Sequence, residues 1–286
     1  MPIPQRSRFR STTTARSSDS PNFTSLARID GARYLNDVVG RLRAEISAAG
    51  QPRVCIATVL VSDDPRDFSN ARRKHVAATE AGMQFRHTQL AAGTSQAGVE
   101  RAIFRLAAQP EINGIFIQLP LPKRLNANRI LDLIPPRRNI DAPDAPATPR
   151  GIVNLLAHNG IQTAGKACVI VGRSTDIGLP LAQLLERERA RSVRAVNPDA
   201  PDLVSMTREA EILVSCAGLP DSITRAHVRP GAVVVDAGYN RTVQGVTGDV
   251  DVAGIEGVAA ALVPMPGGIG PATIAILLER TWANAV

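Results

Sequence analysis

The chain has 286 residues, 44% of them hydrophobic and only 3% aromatic, with a formal net charge of +7, which is long enough for two domains of ordinary size. No apolar run reaches the roughly 18 residues that span a membrane, and so few aromatic rings argue against base-stacking nucleic-acid folds. Cys55, Cys168 and Cys216 all sit in apolar strand patterns and read as buried structural thiols. No Cys-x-x-Cys, His-Glu-x-x-His or helically spaced His pair points to a metal site.

Residues 1–24 are rich in Ser, Thr and Arg and lack apolar periodicity, which predicts a disordered basic tail. Arg6, Arg8, Arg10 and Arg16 against Asp19 give this tail +3 of the net charge. Its composition resembles an organelle transit peptide, but no amphipathic helix accompanies it, so a cytoplasmic location is expected. The remaining charge excess has no dense Lys/Arg cluster and suits a polyanionic ligand as well as nucleic acid.

Leu35, Val38, Val39, Leu42 and Ile46 recur at helical spacing and predict a helix over 31–49. A continuous apolar strand follows at 54–61, then a turn at Asp63–Asp67 and a helix over 68–81, stopped by Gly82. Thr94 or Ser95 caps a helix to about residue 108. A short buried strand, Gly114-Ile-Phe-Ile-Gln118, runs into Leu119-Pro-Leu-Pro122, and a helix is predicted over 126–134. The proline-rich stretch 135–149 reads as a structured loop and domain boundary, followed by a linking helix over 151–158.

An apolar run, 167–171, then stops at Gly172-Arg-Ser-Thr-Asp-Ile-Gly178, and an apolar helix pattern follows. Strand, glycine turn and helix in this order present unpaired N–H groups and a positive dipole end to an anion. Gly172 permits the tight turn, and Gly178 permits close packing of helix on strand. Two more buried-strand patterns, 211–215 and 232–236, complete a dinucleotide-binding arrangement over 151–264. The spacing is G-x-S-x-x-x-G, not G-x-G-x-x-G, so a phosphate-free α/β turn stays open on this motif alone. The chain closes with the glycine-rich loop Pro264–Thr273 leading into a helix, with Pro271 in its first turn.

Ile117-Gln-Leu-Pro-Leu-Pro122, Val171-Gly-Arg-Ser174 with Gly178, and Pro266-Gly-Gly-Ile-Gly-Pro271, together with Ile29-Asp-Gly31 and Asp236-Ala-Gly-Tyr-Asn240, resemble the methylenetetrahydrofolate dehydrogenase/methenyltetrahydrofolate cyclohydrolase family. The resemblance covers about residues 28–283. It implies a two-domain α/β protein, usually a homodimer: an N-terminal substrate domain, 25–150, completed by the C-terminal helix, 265–286, plus a Rossmann-type NAD(P)-binding domain, 151–264. It implies hydride transfer from 5,10-methylenetetrahydrofolate to NADP, or NAD in some members, and in many members hydrolysis to 10-formyltetrahydrofolate.

Carried over residue by residue, the resemblance makes Lys74 the catalytic lysine, Gln118 the glutamine that orients it and Asp141 the aspartate that binds the pterin. Lysine serves as a proton carrier only when burial or a nearby cation lowers its pKa; on the residues alone Lys74 reads as a surface lysine of a basic helix and Asp141 as a turn residue. Leu119, Pro266, Gly267, Gly268 and Pro271 fall on the substrate side of the resemblance. Gly172, Arg173, Ser174, Gly178, Tyr239 and Thr273 fall on the cofactor side, Tyr239 through its backbone. Arg173 suits the 2′-phosphate of NADP, whereas Asp199, after the second nucleotide strand, suits a free ribose 2′-OH. The two point in opposite directions.

The chain also departs from the family pattern. Asn70 replaces the tyrosine that packs against the folate ring, Asp67 replaces a common serine, Ala142 replaces a glycine, and most of the loop after Asp141 is missing. These changes cluster around the substrate. Two rival readings therefore accompany the enzyme: a non-catalytic paralogue that binds a folate or nucleotide, and a related enzyme acting on a different one-carbon adduct or an unrelated small acid, marked by cofactor binding without folate binding. Neither a membrane nor a nucleic-acid partner is expected.

Overall fold

The computed structural model describes residues 26–286 apart from 145 and 244; the predicted tail, 1–24, lies outside the described residues. Two parallel sheets form the two halves of the molecule. Strand β1 (Ala27–Arg28) leads into helix α1 (Gly31–Ala48). Asp30 caps α1 by accepting a 2.8 Å bond from the Ala32 amide. Its buried face is Tyr34, Val38, Val39, Leu42 and Ile46, as the helical period requires.

The first sheet joins β2 (Cys55–Val61), β3 (Gln84–Leu90) and β4 (Gly114–Ile117), in the order β3-β2-β4. Central β2 is buried along its whole length, which explains its unbroken apolar run. Edge strand β3 has no fully buried residue and carries Gln84, Arg86, His87 and Gln89; a polar edge of this kind has no apolar signature, and the sequence reading passes over it. Between the strands lie α2 (Phe68–Glu80) and α3 (Gln96–Ala107), the latter capped by Ser95. Helix α4 (Ala127–Leu131) is shorter than the predicted 126–134, with Asn126 as its cap.

Helix α5 (Ala147–His158) starts four residues before the predicted 151. Pro149 lies within its first turn, where a missing N–H costs nothing, so the proline-rich run does not stay a loop to its end.

The second sheet is assembled from β5 (Ala167–Val171), β6 (Ser192–Val196), β7 (Ile212–Ser215), β8 (Val233–Asp236) and β11 (Ala261–Val263), in the order β1-β11-β8-β7-β5-β6, with every neighbouring pair parallel. Helix α6 (Gly178–Arg187) links β5 to β6, and the short α7 (Leu203–Thr207) and α8 (Val252–Ile255) fill later crossovers. A small hairpin, β9 (Asn240–Thr242) with β10 (Gly245–Thr247), projects between β8 and α8. The final helix α9 (Ile269–Ala283) packs on α1 and α5 and also touches β2 and β4. It thus joins the core of the first half after the chain has completed the second.

In both sheets the strand order reverses beside the first strand of the unit: β2 lies between β3 and β4, and β5 between β6 and β7. Open parallel sheets bind ligands at the carboxyl ends of the strands flanking such a reversal.

Candidate active site

The carboxyl end of β4 delivers Gln118, and α2, which follows β2, delivers Lys74. Lys74 Nζ donates a 3.1 Å hydrogen bond to Gln118 Oε1 and stands 4.6 Å from the centre of the Phe116 ring. The lysine is only 7% exposed. Burial pushes its pKa down to about 8, against the pull of Asp141 and with help from Arg73. Gln118 is fixed in turn, its Nε2 donating to the Leu119 carbonyl at 3.1 Å.

Asp141 lies close enough for its charge and that of Lys74 to act on each other. Burial raises its pKa, opposed by the Ala147 amide and by the charges of Arg280 and Lys74. Asp141 Oδ1 accepts a 2.7 Å bond from the Ala147 N–H at the start of α5, a helix N-terminus that favours a carboxylate. Each carboxylate oxygen has two acceptor positions, so this bond leaves capacity for a ligand. Lys74, Gln118 and Asp141 are thereby brought near one another from separate segments of the chain.

Residues that the sequence reading did not single out, together with Asp67, which it noted as a replaced serine, complete the pocket. Thr58, Asp67, His87 and Phe116 line it with Lys74 and Gln118. Thr58 Oγ1 meets His87 Nδ1 at 2.9 Å, and burial, with Lys74 and His75 nearby, lowers the pKa of His87. A hydroxyl in the otherwise apolar run of β2 was the one local signal for Thr58. Asn70 is half-buried one turn before Lys74 on α2.

At the second reversal, Gly172 has φ 115°, a conformation that favours glycine. A Cβ there would stand 2.6 Å from the Cys216 carbonyl oxygen, and one on Gly178 would stand 2.2 Å from the Gly172 carbonyl oxygen. Both turns thus require glycine for close backbone approach, which fits the crevice to a dinucleotide. Ser174 Oγ accepts from the Ile177 and Gly178 amides at 3.2 and 3.3 Å and shapes the entrance to α6. Arg173 is exposed and its Nη1 donates to the Ala195 carbonyl on β6 at 3.2 Å. Asp199 is exposed three residues beyond β6, away from the lysine pocket.

The Gly267-Gly268 turn packs against the start of α1. The Gly31 amide donates to the Gly267 carbonyl at 3.1 Å, and a Cβ on Gly31 would collide with the Gly268 carbonyl. Pro266 is exposed and Pro271 half-buried in the first turn of α9. Thr273 bonds Thr148 on α5 at 3.2 Å and the Ile269 carbonyl at 3.0 Å, a helix-to-helix contact. Tyr239 follows β8; the amide of its neighbour Gly238 donates to Asp236 Oδ1 at 3.0 Å. A roomier cavity of about 310 Å3, between residues 143–149 and α6, is lined by Arg150, Thr175, Arg187 and Arg280 but not by Lys74. The smaller lysine pocket, where a lysine of lowered pKa and its polar partners converge, is the candidate site.

Fold and site together define a two-domain α/β enzyme, with a dinucleotide crevice beside a buried lysine. The description tetrahydrofolate dehydrogenase/cyclohydrolase, catalytic domain, matches residues 29–141, and its NAD(P)-binding domain counterpart matches residues 146–286. The chain is 35% identical to the bifunctional protein FolD of Rhodopirellula baltica over 90% of this chain and 96% of that one. It is 38% identical to the bifunctional protein FolD of Nitratidesulfovibrio vulgaris, over 88% of this chain and 96% of the relative. Among solved structures, the bifunctional methylenetetrahydrofolate dehydrogenase/cyclohydrolase of Campylobacter jejuni superposes with a TM-score of 0.85 at 29% identity, covering 91% of this chain and 99% of that one. The Trypanosoma brucei enzyme, solved with NADP and an inhibitor, gives 0.85 at 28% identity, covering 91% and 97%. The chain belongs to the tetrahydrofolate dehydrogenase/cyclohydrolase family.

Proposed function

We propose that this chain oxidises 5,10-methylenetetrahydrofolate to the methenyl form with NADP and hydrolyses that product to 10-formyltetrahydrofolate. The observation that carries this reading is the buried Lys74, with its pKa near 8, bonded to Gln118 and within the electrostatic reach of Asp141. A lysine of ordinary pKa would be protonated throughout the neutral range; this one holds and releases a proton near working pH.

In the hydrolysis, a water oxygen bonds to the methenyl carbon while neutral Lys74 takes a proton from it. The proton returns to the ring nitrogen as the carbon–nitrogen bond breaks, and the hydroxyl of the adduct releases its remaining proton to water as it becomes the formyl carbonyl. Gln118 orients Nζ through the carbonyl oxygen of its amide. Asp141 accepts N–H bonds from the pterin edge, a role that needs a carboxylate. In the oxidation, the nicotinamide cofactor supplies the hydride acceptor when bound. Gly172, Ser174 and Gly178 shape the crevice that would hold its phosphates, and the Pro266–Gly268 turn flanks the nicotinamide end.

Arg173 supports NADP over NAD. Its guanidinium reaches the carboxyl end of β6, where doubly wound sheets receive the adenosine ribose, and it suits a 2′-phosphate. Asp199 favours the free 2′-OH, but no bond in the structure draws it towards the Arg173 guanidinium. A homodimer and a cytoplasmic location belong to the same reading through the family resemblance, and sedimentation tests the first. Among the described residues, no helix is long and apolar enough to cross a membrane.

The test is NADPH formation from methylenetetrahydrofolate, with NAD assayed separately and methenyltetrahydrofolate hydrolysis followed in parallel. Turnover lost in Lys74→Ala supports the assignment. A folded protein that binds tetrahydrofolate without turnover would favour the non-catalytic paralogue instead.

A further inference from the structure

The lysine pocket has few ring faces to offer a flat ligand. Phe116 is buried beneath the ammonium of Lys74, and Asn70 contributes only an amide to the adjoining turn of α2. Of the two tyrosines in the chain, Tyr34 is 5% exposed within the α1 core. The other, Tyr239, is 48% exposed, although a large ring gains free energy by leaving water.

Contacts from both halves of the molecule fix the surroundings of Tyr239. The Gly238 amide is bonded to Asp236, and Asn240 Nδ2 donates to Asp249 Oδ1 at 2.8 Å and to the Gly248 carbonyl at 3.0 Å, so the backbone on each side of Tyr239 is held. The ring lies 5.8 Å from the Arg241 guanidinium carbon. Arg241 Nη2 donates to Asp67 Oδ1 at 2.6 Å, and Nη1 stands 3.6 Å from Asp64 Oδ2. Asp67, which also accepts a 2.6 Å bond from Ser62 Oγ, lines the pocket with Lys74 and Gln118. A residue of the nucleotide-binding half is thereby tied to the rim of the substrate pocket, with an exposed ring beside the tie.

We propose that Tyr239 is a specificity-determining residue of the substrate pocket. Its ring, held by Arg241 against Asp64 and Asp67, is the aromatic wall on which the flat ring system of the folate packs. The inference rests on the folate reading above and assigns the side chain of Tyr239 to the substrate, apart from any backbone contact with the cofactor. An aromatic wall works by area and π-face, which the phenol hydroxyl does not supply. Phenylalanine should therefore serve in its place and alanine should not.

The test compares the wild-type chain with Tyr239→Ala, Tyr239→Phe and Arg241→Leu. It measures calorimetric titration with tetrahydrofolate, KM for methylenetetrahydrofolate and KM for NADP. Tyr239→Ala should weaken tetrahydrofolate binding about tenfold and raise the folate KM in parallel, with the NADP KM moved less than about twofold. Tyr239→Phe should recover most of the affinity, and Arg241→Leu should lose part of it. A loss that falls on NADP, unchanged folate binding in Tyr239→Ala, or equal losses in the Phe and Ala variants overturns the wall. Unchanged binding in Arg241→Leu overturns the part given to the ion pair. The titration needs no turnover, so a wild-type chain that binds tetrahydrofolate but does not react refutes the proposed activity while the wall is still judged. A wild-type chain that binds no tetrahydrofolate overturns both.

Discussion

Replacing Lys74 with methionine separates the cost of burying the charge from its chemical use. The side chain keeps nearly the same length and loses the proton. A fall in pKa from 10.5 to about 8 means that the folded protein at pH 7 holds this lysine protonated at a cost of roughly 3 kcal/mol relative to the unfolded chain. The group is almost fully buried, so solvent screening does not reduce that figure much. Methionine removes the cost. It also leaves the Gln118 carbonyl without its donor, at about 1–3 kcal/mol, and gives up the contact with the Phe116 ring, at about 0.5–2 kcal/mol. The variant should therefore lie within about 2 kcal/mol of the wild type at pH 7, in either direction. The pH dependence is the sharper consequence. Between about pH 8 and 10.5 the unfolded chain binds more protons at this lysine than the folded one, so its contribution makes wild-type stability rise with pH across that window. In Lys74→Met that contribution is gone, and the stability difference between the two proteins should shift by roughly 2–3 kcal/mol from pH 7 to pH 10 in favour of the wild type. Urea denaturation at both pH values measures this, and the hydrolase activity of the same sample should fall about 10²–10⁴-fold. A stability difference that is the same at both pH values would refute the argument that burial depresses this pKa.

Gln118→Glu puts a carboxylate at the position of the amide, 3.1 Å from Nζ. It should raise the pKa of Lys74 and move the pH–rate profile of hydrolysis about one to two pH units towards alkali; a profile that stays in place argues against the contact. Arg173→Ala should raise the KM for NADP about tenfold or more while leaving NAD nearly untouched, and equal losses for both cofactors would remove Arg173 from the 2′-phosphate. Asp249 is fully buried and accepts bonds from Ser215 Oγ, from the amides of Ala217, Gly218 and Leu219, and from Asn240. Asp249→Asn turns an NH2 group towards some of those donors and should destabilise the fold by about 3–5 kcal/mol; a melting temperature within about 2 °C of the wild type would contradict that account.

Much of the fold was written locally. The apolar runs of β2, β4, β5, β7 and β8, the helical periods of α1 and the glycine turn before α6 each lie within a dozen or so consecutive residues, and the structure places an element at each. Several of the elements that were missed lack such a pattern. Strand β3 is a polar edge, β1 has two residues, and the β9–β10 hairpin is short and mostly exposed. The start of α5 was obscured because prolines that suit a first helical turn also suit a loop.

The site divides in the same way. On its own sequence Lys74 reads as one more basic residue of α2, and only the resemblance to a family marked it out. Its lowered pKa comes from burial, against the charge of Asp141, and its Nζ is bonded to the Gln118 oxygen; three separate segments bring these groups together. The sequence by itself therefore determined many of the elements, the crevice motif and the family, because periodicity, turn chemistry and motif spacing are properties of consecutive residues. Tertiary structure alone decided the pKa of Lys74 and the tie from Arg241 to Asp67 across 174 residues of chain. Desolvation and charge pairing depend on distances in space, which packing sets.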